Sequence, residues 1–147
     1  MNTVILSRDN VQKWEKKPGE KAILIRMLEP RMNNLELLHP ERFEAILEIY
    51  VDDVTQENMD THLRGSNFVL CTKNEAEQIV AFIRSHKFAN CLVVHCTEGK
   101  SRSSAVALAY ALAIENDKMA TEIQSSNKYW PNETILELVS EAFSKQL

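Results

Sequence analysis

Glycine is scarce in this 147-residue chain, which carries only Gly19, Gly65 and Gly99. With so few, each glycine is expected to answer a backbone demand. Cysteine is equally sparse, at Cys71, Cys91 and Cys96. That odd, low count excludes a disulfide-built secreted scaffold and fits a reducing compartment. The chain has no run of about 18 apolar residues, which excludes a transmembrane helix. The opening MNTVILSRDN has no basic n-region and too short an apolar stretch for a secretory leader, so a cytoplasmic protein is expected. An excess of positive charge is missing too: 17 Lys and Arg stand against 21 Asp and Glu, a net charge of −4. A basic nucleic-acid surface is therefore not favoured, and no membrane partner is expected, although a local basic pocket stays open. Internal repeats, low-complexity stretches and long linkers are absent. What is present, 44% apolar residues, suffices for one domain over 1–147 with a proper core; a monomer is expected.

Along the chain, Lys17-Pro18-Gly19-Glu20 reads as a turn. Ala22 to Ile25 is a short apolar run of strand type, and Ala45 to Val51 is a second, ending at Asp52-Asp53. A polar stretch from Thr55 to Asn67 carries weak helical signals. Thr72-Lys73-Asn74-Glu75 is a capping box, and apolar residues at helical spacing behind it predict a helix over 73–86. Cys91-Leu92-Val93-Val94 has the continuous apolar character of a strand buried on both faces. Arg102 to Ile114, alanine-rich and apolar on nearly every side, predicts a deeply packed helix. Two amphipathic helices, 117–126 and 132–145, close the chain, with Pro131 between them. The alternation predicts an α/β domain whose mostly parallel sheet of four to five strands is flanked by helices.

Between the buried strand and the buried helix lies His95-Cys96-Thr97-Glu98-Gly99-Lys100-Ser101-Arg102-Ser103. A short loop leaving a strand's C-terminal end for a helix N-terminus is where open α/β sheets bind ligands. Loop amides and the unpaired N–H groups of the first helical turn converge there on an anion. Gly99 allows a tight bend and is expected to keep side chains out of the concavity. Arg102 offers a planar fork for two oxygens of a tetrahedral oxyanion. Cys96 opens the loop, and a thiol in such a field of amides and guanidinium tends toward the thiolate. Ser103 can offer that sulfur a hydroxyl. Taken singly, each residue is more often a packing or capping residue. Together, six fixed types at these spacings arise by chance on the order of once per 10⁵ such chains.

His-Cys-x5-Arg-Ser resembles the signature loop of the cysteine-dependent protein tyrosine phosphatases, and HCTEGKSRS is most similar to the compact dual-specificity branch. The resemblance is strong over 91–113 and looser over 45–147. Near the tail, Tyr129-Trp130-Pro131-Asn132 resembles a helix-start pattern of that branch. It implies that Cys96 attacks phosphorus to give a phosphocysteine. It also implies that Arg102 and the amides of Thr97, Glu98, Gly99, Lys100 and Ser101 hold the phosphoryl oxygens, and that His95 orients the loop without touching substrate. Neither metal nor other cofactor is implied. Phosphate-like oxyanions are expected to inhibit.

The resemblance also implies an Asp general acid after the strand preceding the long helix, and its pattern points to Asp53. Asp53 lies 43 residues before Cys96, a long interval for compact members. Asp60, 36 residues before Cys96, is a rival, and Asp52 a weaker one. A phosphorylated protein or small phosphomonoester is the expected substrate: phosphotyrosine, with phosphoserine or phosphothreonine if the pocket is shallow. Lys100 keeps a phosphoinositide or an RNA 5′ end open, since lipid-directed members carry Lys at that loop position. A phosphate-binding pseudophosphatase and a rhodanese-type sulfur-transfer domain also stay open. Cys91 and Cys71 read as packing residues, with protection of Cys96 from oxidation as the alternative.

Overall fold

The computed structural model describes residues 1–31 and 36–145. Four strands, β1 (Asn2–Ser7), β2 (Ala22–Leu28), β3 (Ala45–Tyr50) and β4 (Cys91–Cys96), form one all-parallel sheet in the order β1-β4-β2-β3. The helices are α1 (Arg8–Lys13), α2 (Gln56–Asp60), α3 (Lys73–Ser85), α4 (Arg102–Ala113), α5 (Asp117–Ser125) and α6 (Glu133–Ser144). This is a small single α/β domain. Among the described residues no helix is long and apolar enough to cross a membrane.

The two central strands, β2 and β4, are buried along their whole lengths. Their alternate residues feed two cores, because side chains leave a strand on opposite faces. Ile23, Ile25, Met27, Leu92 and Val94 pack toward α3, α4 and α6 in the larger core. Ala22, Leu24, Cys91 and Val93 pack on the other face with Val11 of α1, Phe43 and Trp14. Helix α4 is buried at ten successive positions, Arg102 to Ala111, because α5 and α6 cover the sides that the sheet does not. Its alanines permit that close approach. The capping box at Thr72 forms as expected and starts α3 at Lys73.

Strand β1 and helix α1 were not expected. Strand β1 pairs with β4 from Asn2↔Cys91 to Ser7↔Cys96. Thr3, Val4 and Ile5 favour a strand, but the run is short, and pairing with the buried β4 is what fixes it in the sheet. Helix α1 follows at once, with Ser7 accepting from the Asn10 N–H at 3.1 Å as its cap. Strand β2 also runs three residues beyond the expected Ile25, through Arg26, a charged residue inside the sheet.

Candidate active site

β4 delivers Cys96 to the C-terminal edge of the sheet, residues 97–101 turn, and α4 begins at Arg102. Cys96 is 2% exposed, with its Sγ 3.1 Å from Ser103 Oγ. Arg102 reaches across the loop. Its Nη1 donates to the Val51 carbonyl at 2.8 Å, and its Nη2 to Glu29 Oε1 at 2.6 Å and Thr97 Oγ1 at 3.2 Å. Its Nε is buried and meets no acceptor among the described residues. Cys96, Thr97, Glu98, Ser101 and Arg102 line one open, polar cavity of about 290 Å³ with Glu29 and Asp53. A larger hollow of about 350 Å³, bounded by Met1, Tyr110 and Phe143 among others, is mainly apolar and has no thiol or carboxylate in its lining. The chemistry therefore concentrates in the smaller one.

The three aspartates separate clearly. Asp53 lines the cavity, and its Oδ1 accepts from Ser101 Oγ at 2.7 Å and Asn132 Nδ2 at 3.0 Å. Asp52 is buried and spent on architecture, accepting from the Val69 N–H at 2.6 Å and Arg31 Nη2 at 3.1 Å. Asp60 is exposed on α2, where it accepts from Gln56, and does not line the cavity.

Gly99 needs a correction. Its φ is +71°, the left-handed region glycine tolerates. A Cβ there would lie 2.7 Å from backbone atoms of Leu6 and Ser7. Glycine is thus required by the end of β1, which backs the loop from outside; it is not there to keep the concavity clear. The Arg8 N–H adds a 3.1 Å bond to the Thr97 carbonyl. On the other flank the tail clamps the loop, with the Trp130 N–H on the Lys100 carbonyl at 2.9 Å and the Asn132 N–H on the Ser101 carbonyl at 3.1 Å. Lys100 itself is exposed, its Nζ 5.8 Å from the centre of the Trp130 ring.

His95 is buried on the sheet face opposite the larger core, where Arg26 Nε donates to its Nε2 at 3.0 Å. Burial first, and the Arg26 guanidinium second, hold its pKa down to about 4, so the ring is neutral near pH 7. Burial likewise pushes the Cys71 thiol up to about 12 and the Cys91 thiol up to about 11. Cys91 stands five strand residues, roughly 16 Å, from Cys96. That is far beyond the roughly 7 Å Cα separation a disulfide tolerates.

Three residues of the site were not read from sequence as its members. Glu29 directly follows β2 and takes both Arg102 and the Thr97 hydroxyl, at 2.7 Å. Burial pushes its carboxyl up, but these hydrogen bonds and the guanidinium charges outweigh that and keep it below the ordinary glutamate range. Asn132 caps α6 through the Ile135 N–H while its Nδ2 bridges Asp53 and the Val54 carbonyl. Arg26 sits behind His95. The one available signal was positional: a charged residue at the C-terminal end of a buried parallel strand lies at the ligand edge of the sheet, and Glu29 does.

No protein-family model and no curated protein matches this chain. Solved structures do. A point variant of human DUSP28 superposes with a TM-score of 0.56 at 19% identity, over 97% of this chain and 89% of that one. PTPMT1 in complex with PI(5)P gives 0.56 at 15% identity, over 97% and 90%. Tk-PTP in its active form gives 0.55 at 13% identity, over 98% and 91%. The chain has the fold of the compact, dual-specificity branch of the cysteine-dependent phosphatases.

Proposed function

We propose that this protein is a cysteine-dependent phosphatase that hydrolyses phosphomonoesters, phosphotyrosine first and phosphoserine or phosphothreonine as well. One observation carries the reading: a buried guanidinium with an unpartnered Nε–H lines the same polar cavity as the Cys96 sulfur. A buried N–H without an acceptor is costly, and a phosphoryl oxygen is the acceptor that this loop's amides also suit.

The steps follow from the groups present. Arg102 and the loop amides of residues 97–102 hold the phosphoryl oxygens, which is chiefly positioning and charge stabilisation. The Cys96 thiolate attacks phosphorus, and the bond to the leaving oxygen breaks. Asp53 hands that oxygen a proton; Ser101 and Asn132 both bond Oδ1, so Oδ2 carries it. Water then attacks the phosphocysteine, Asp53 takes the water's proton, and the P–S bond breaks. The Ser103 hydroxyl, 3.1 Å from Sγ, steadies the departing thiolate. Hydrolysis of para-nitrophenyl phosphate by wild type, lost in Cys96→Ser and nearly lost in Arg102→Lys, is the expected result. Absence of any aryl phosphatase activity together with no binding of vanadate would overturn it.

A phosphoinositide head group is the second reading, favoured by Lys100. Its ammonium borders a groove of about 400 Å³ beside the loop that Lys128 and Trp130 also line. PTPMT1, of the same fold, is solved with PI(5)P. A higher kcat/KM for a soluble short-chain phosphoinositide than for a phosphotyrosine peptide, lost in Lys100→Ala, would select it.

A further inference from the structure

Strand β2 carries a charge where a strand buried on both faces should have none. Arg26 is 5% exposed, between Ile25 and Met27 at the centre of the sheet. Taking a guanidinium out of water is costly unless its donors are matched. The register supplies the matches. Glu48 on β3 pairs with Arg26, and Arg26 pairs with His95 on β4. The three therefore stand in one row across the sheet, on the face away from α4. Arg26 Nη1 meets Glu48 Oε2 at 2.9 Å, and Arg26 Nε meets His95 Nε2 at 3.0 Å.

The second contact has one chemical meaning. A guanidinium nitrogen only donates, so His95 Nε2 must present its lone pair. The imidazole is then neutral and its single proton is on Nδ1. The residue preceding the nucleophile thus carries no charge. The charge behind it belongs to a group that does not deprotonate. A histidine left to itself would titrate near pH 6.5 and change the field at the adjacent sulfur within the working range.

We propose that Arg26, braced by Glu48, is a positioning residue of the cysteine loop, locking His95 as the neutral Nδ1–H tautomer and supplying a permanent cation behind Cys96. Its consequence for turnover rests on the phosphatase reading. Among the described residues, the charged groups acting on His95 are Arg26 from β2 and Arg102 from the start of α4. No acidic side chain among them would draw a proton onto the ring.

The first test needs no variant and no activity. Ring-nitrogen NMR of the labelled full chain is expected to show His95 protonated at Nδ1 only, without titration from pH 8 to about pH 5. A proton on Nε2, or a midpoint above pH 6, overturns the proposal. The second test is Arg26→Met, with a thermal melt to establish that it folds. His95 should then titrate near its ordinary value, and alkylation of Cys96 by iodoacetamide should acquire an inflection at the same pH. Turnover of para-nitrophenyl phosphate should fall about 10- to 100-fold in kcat, the usual scale for removing an outer-shell partner, with KM little changed. Arg26→Lys should recover part of the loss, since an ammonium restores the cation without the fork to Glu48. A folded Arg26→Met whose alkylation follows the wild-type pH profile sinks the idea. Should that variant fail to fold, the wild-type tautomer still decides. A wild type with the Nδ1–H tautomer but no phosphatase activity would refute the catalytic reading and leave the assignment of His95 standing.

Discussion

The ends of β2 and β3 each deliver a carboxylate to the same cavity, and their surroundings differ in kind. Glu29, directly after β2, is clamped by a guanidinium at 2.6 Å and a hydroxyl at 2.7 Å. Asp53, three residues past β3, meets neutral donors among the described residues, Ser101 and Asn132. The difference assigns roles. A carboxylate paired with a cation stays ionised and cannot give up a proton it does not hold. Under the proposed phosphatase mechanism, Glu29 aims Arg102, while Asp53 is left to carry a proton to the leaving oxygen. Both line the cavity that holds Cys96; the charge of the partner is what distinguishes them.

The comparison can be broken most severely by removing what the two carboxylates serve. Cys96→Ser should reduce hydrolysis to background. Asp53→Asn comes next. For alkyl phosphates, whose leaving oxygen needs the proton, kcat should drop by about 10²–10⁴-fold. The loss should be smaller for para-nitrophenyl phosphate, and one limb of the pH–rate profile should flatten. If Glu29→Gln flattens that limb instead, the roles are reversed. Acid titration of stability follows in size. The folded His95 refuses a proton that the unfolded chain accepts below its ordinary 6.5, so stability is full above that pH and is lost as the pH falls toward about 4. The loss, on the order of 3 kcal/mol, should appear in urea melts and disappear in His95→Asn. The Glu29 contribution lies lower. It is present above the ordinary glutamate value of 4.5 and is lost as pH falls below it. Glu29→Gln should also cost about tenfold in kcat/KM, through a looser Arg102. Asp60→Asn, on an exposed helix, should change melts and rates no more than an ordinary surface substitution, within about 0.5 kcal/mol.

The cysteine loop was legible because its parts are contiguous. From Cys96 to Ser103 the chain spans eight residues, and strand, turn and helix start follow from local pattern. The same holds for α3, announced by Thr72 and Glu75. Strand β1 was not read from sequence, since an apolar run of only three residues, Val4 to Leu6, is too short to stand out until β4 lies beside it. Nor were Glu29 and Arg26, which stand 73 and 69 residues from their partners Arg102 and His95. The choice among Asp52, Asp53 and Asp60 was equally hidden. Asp52 is taken by the Val69 N–H and Arg31 only once the 55–72 segment folds back.

The order of residues by itself determined a tight turn between a buried strand and a helix start, with a sulfur at its mouth, because backbone geometry over nine residues is a local property. Only the tertiary structure decided which carboxylate is clamped, which is left to neutral donors, and which cation stands behind the histidine. Those pairings are set by strand register and by Asn132 at the start of α6. Register and helix docking come from burying apolar faces shared by the whole chain, and no short stretch of sequence contains them.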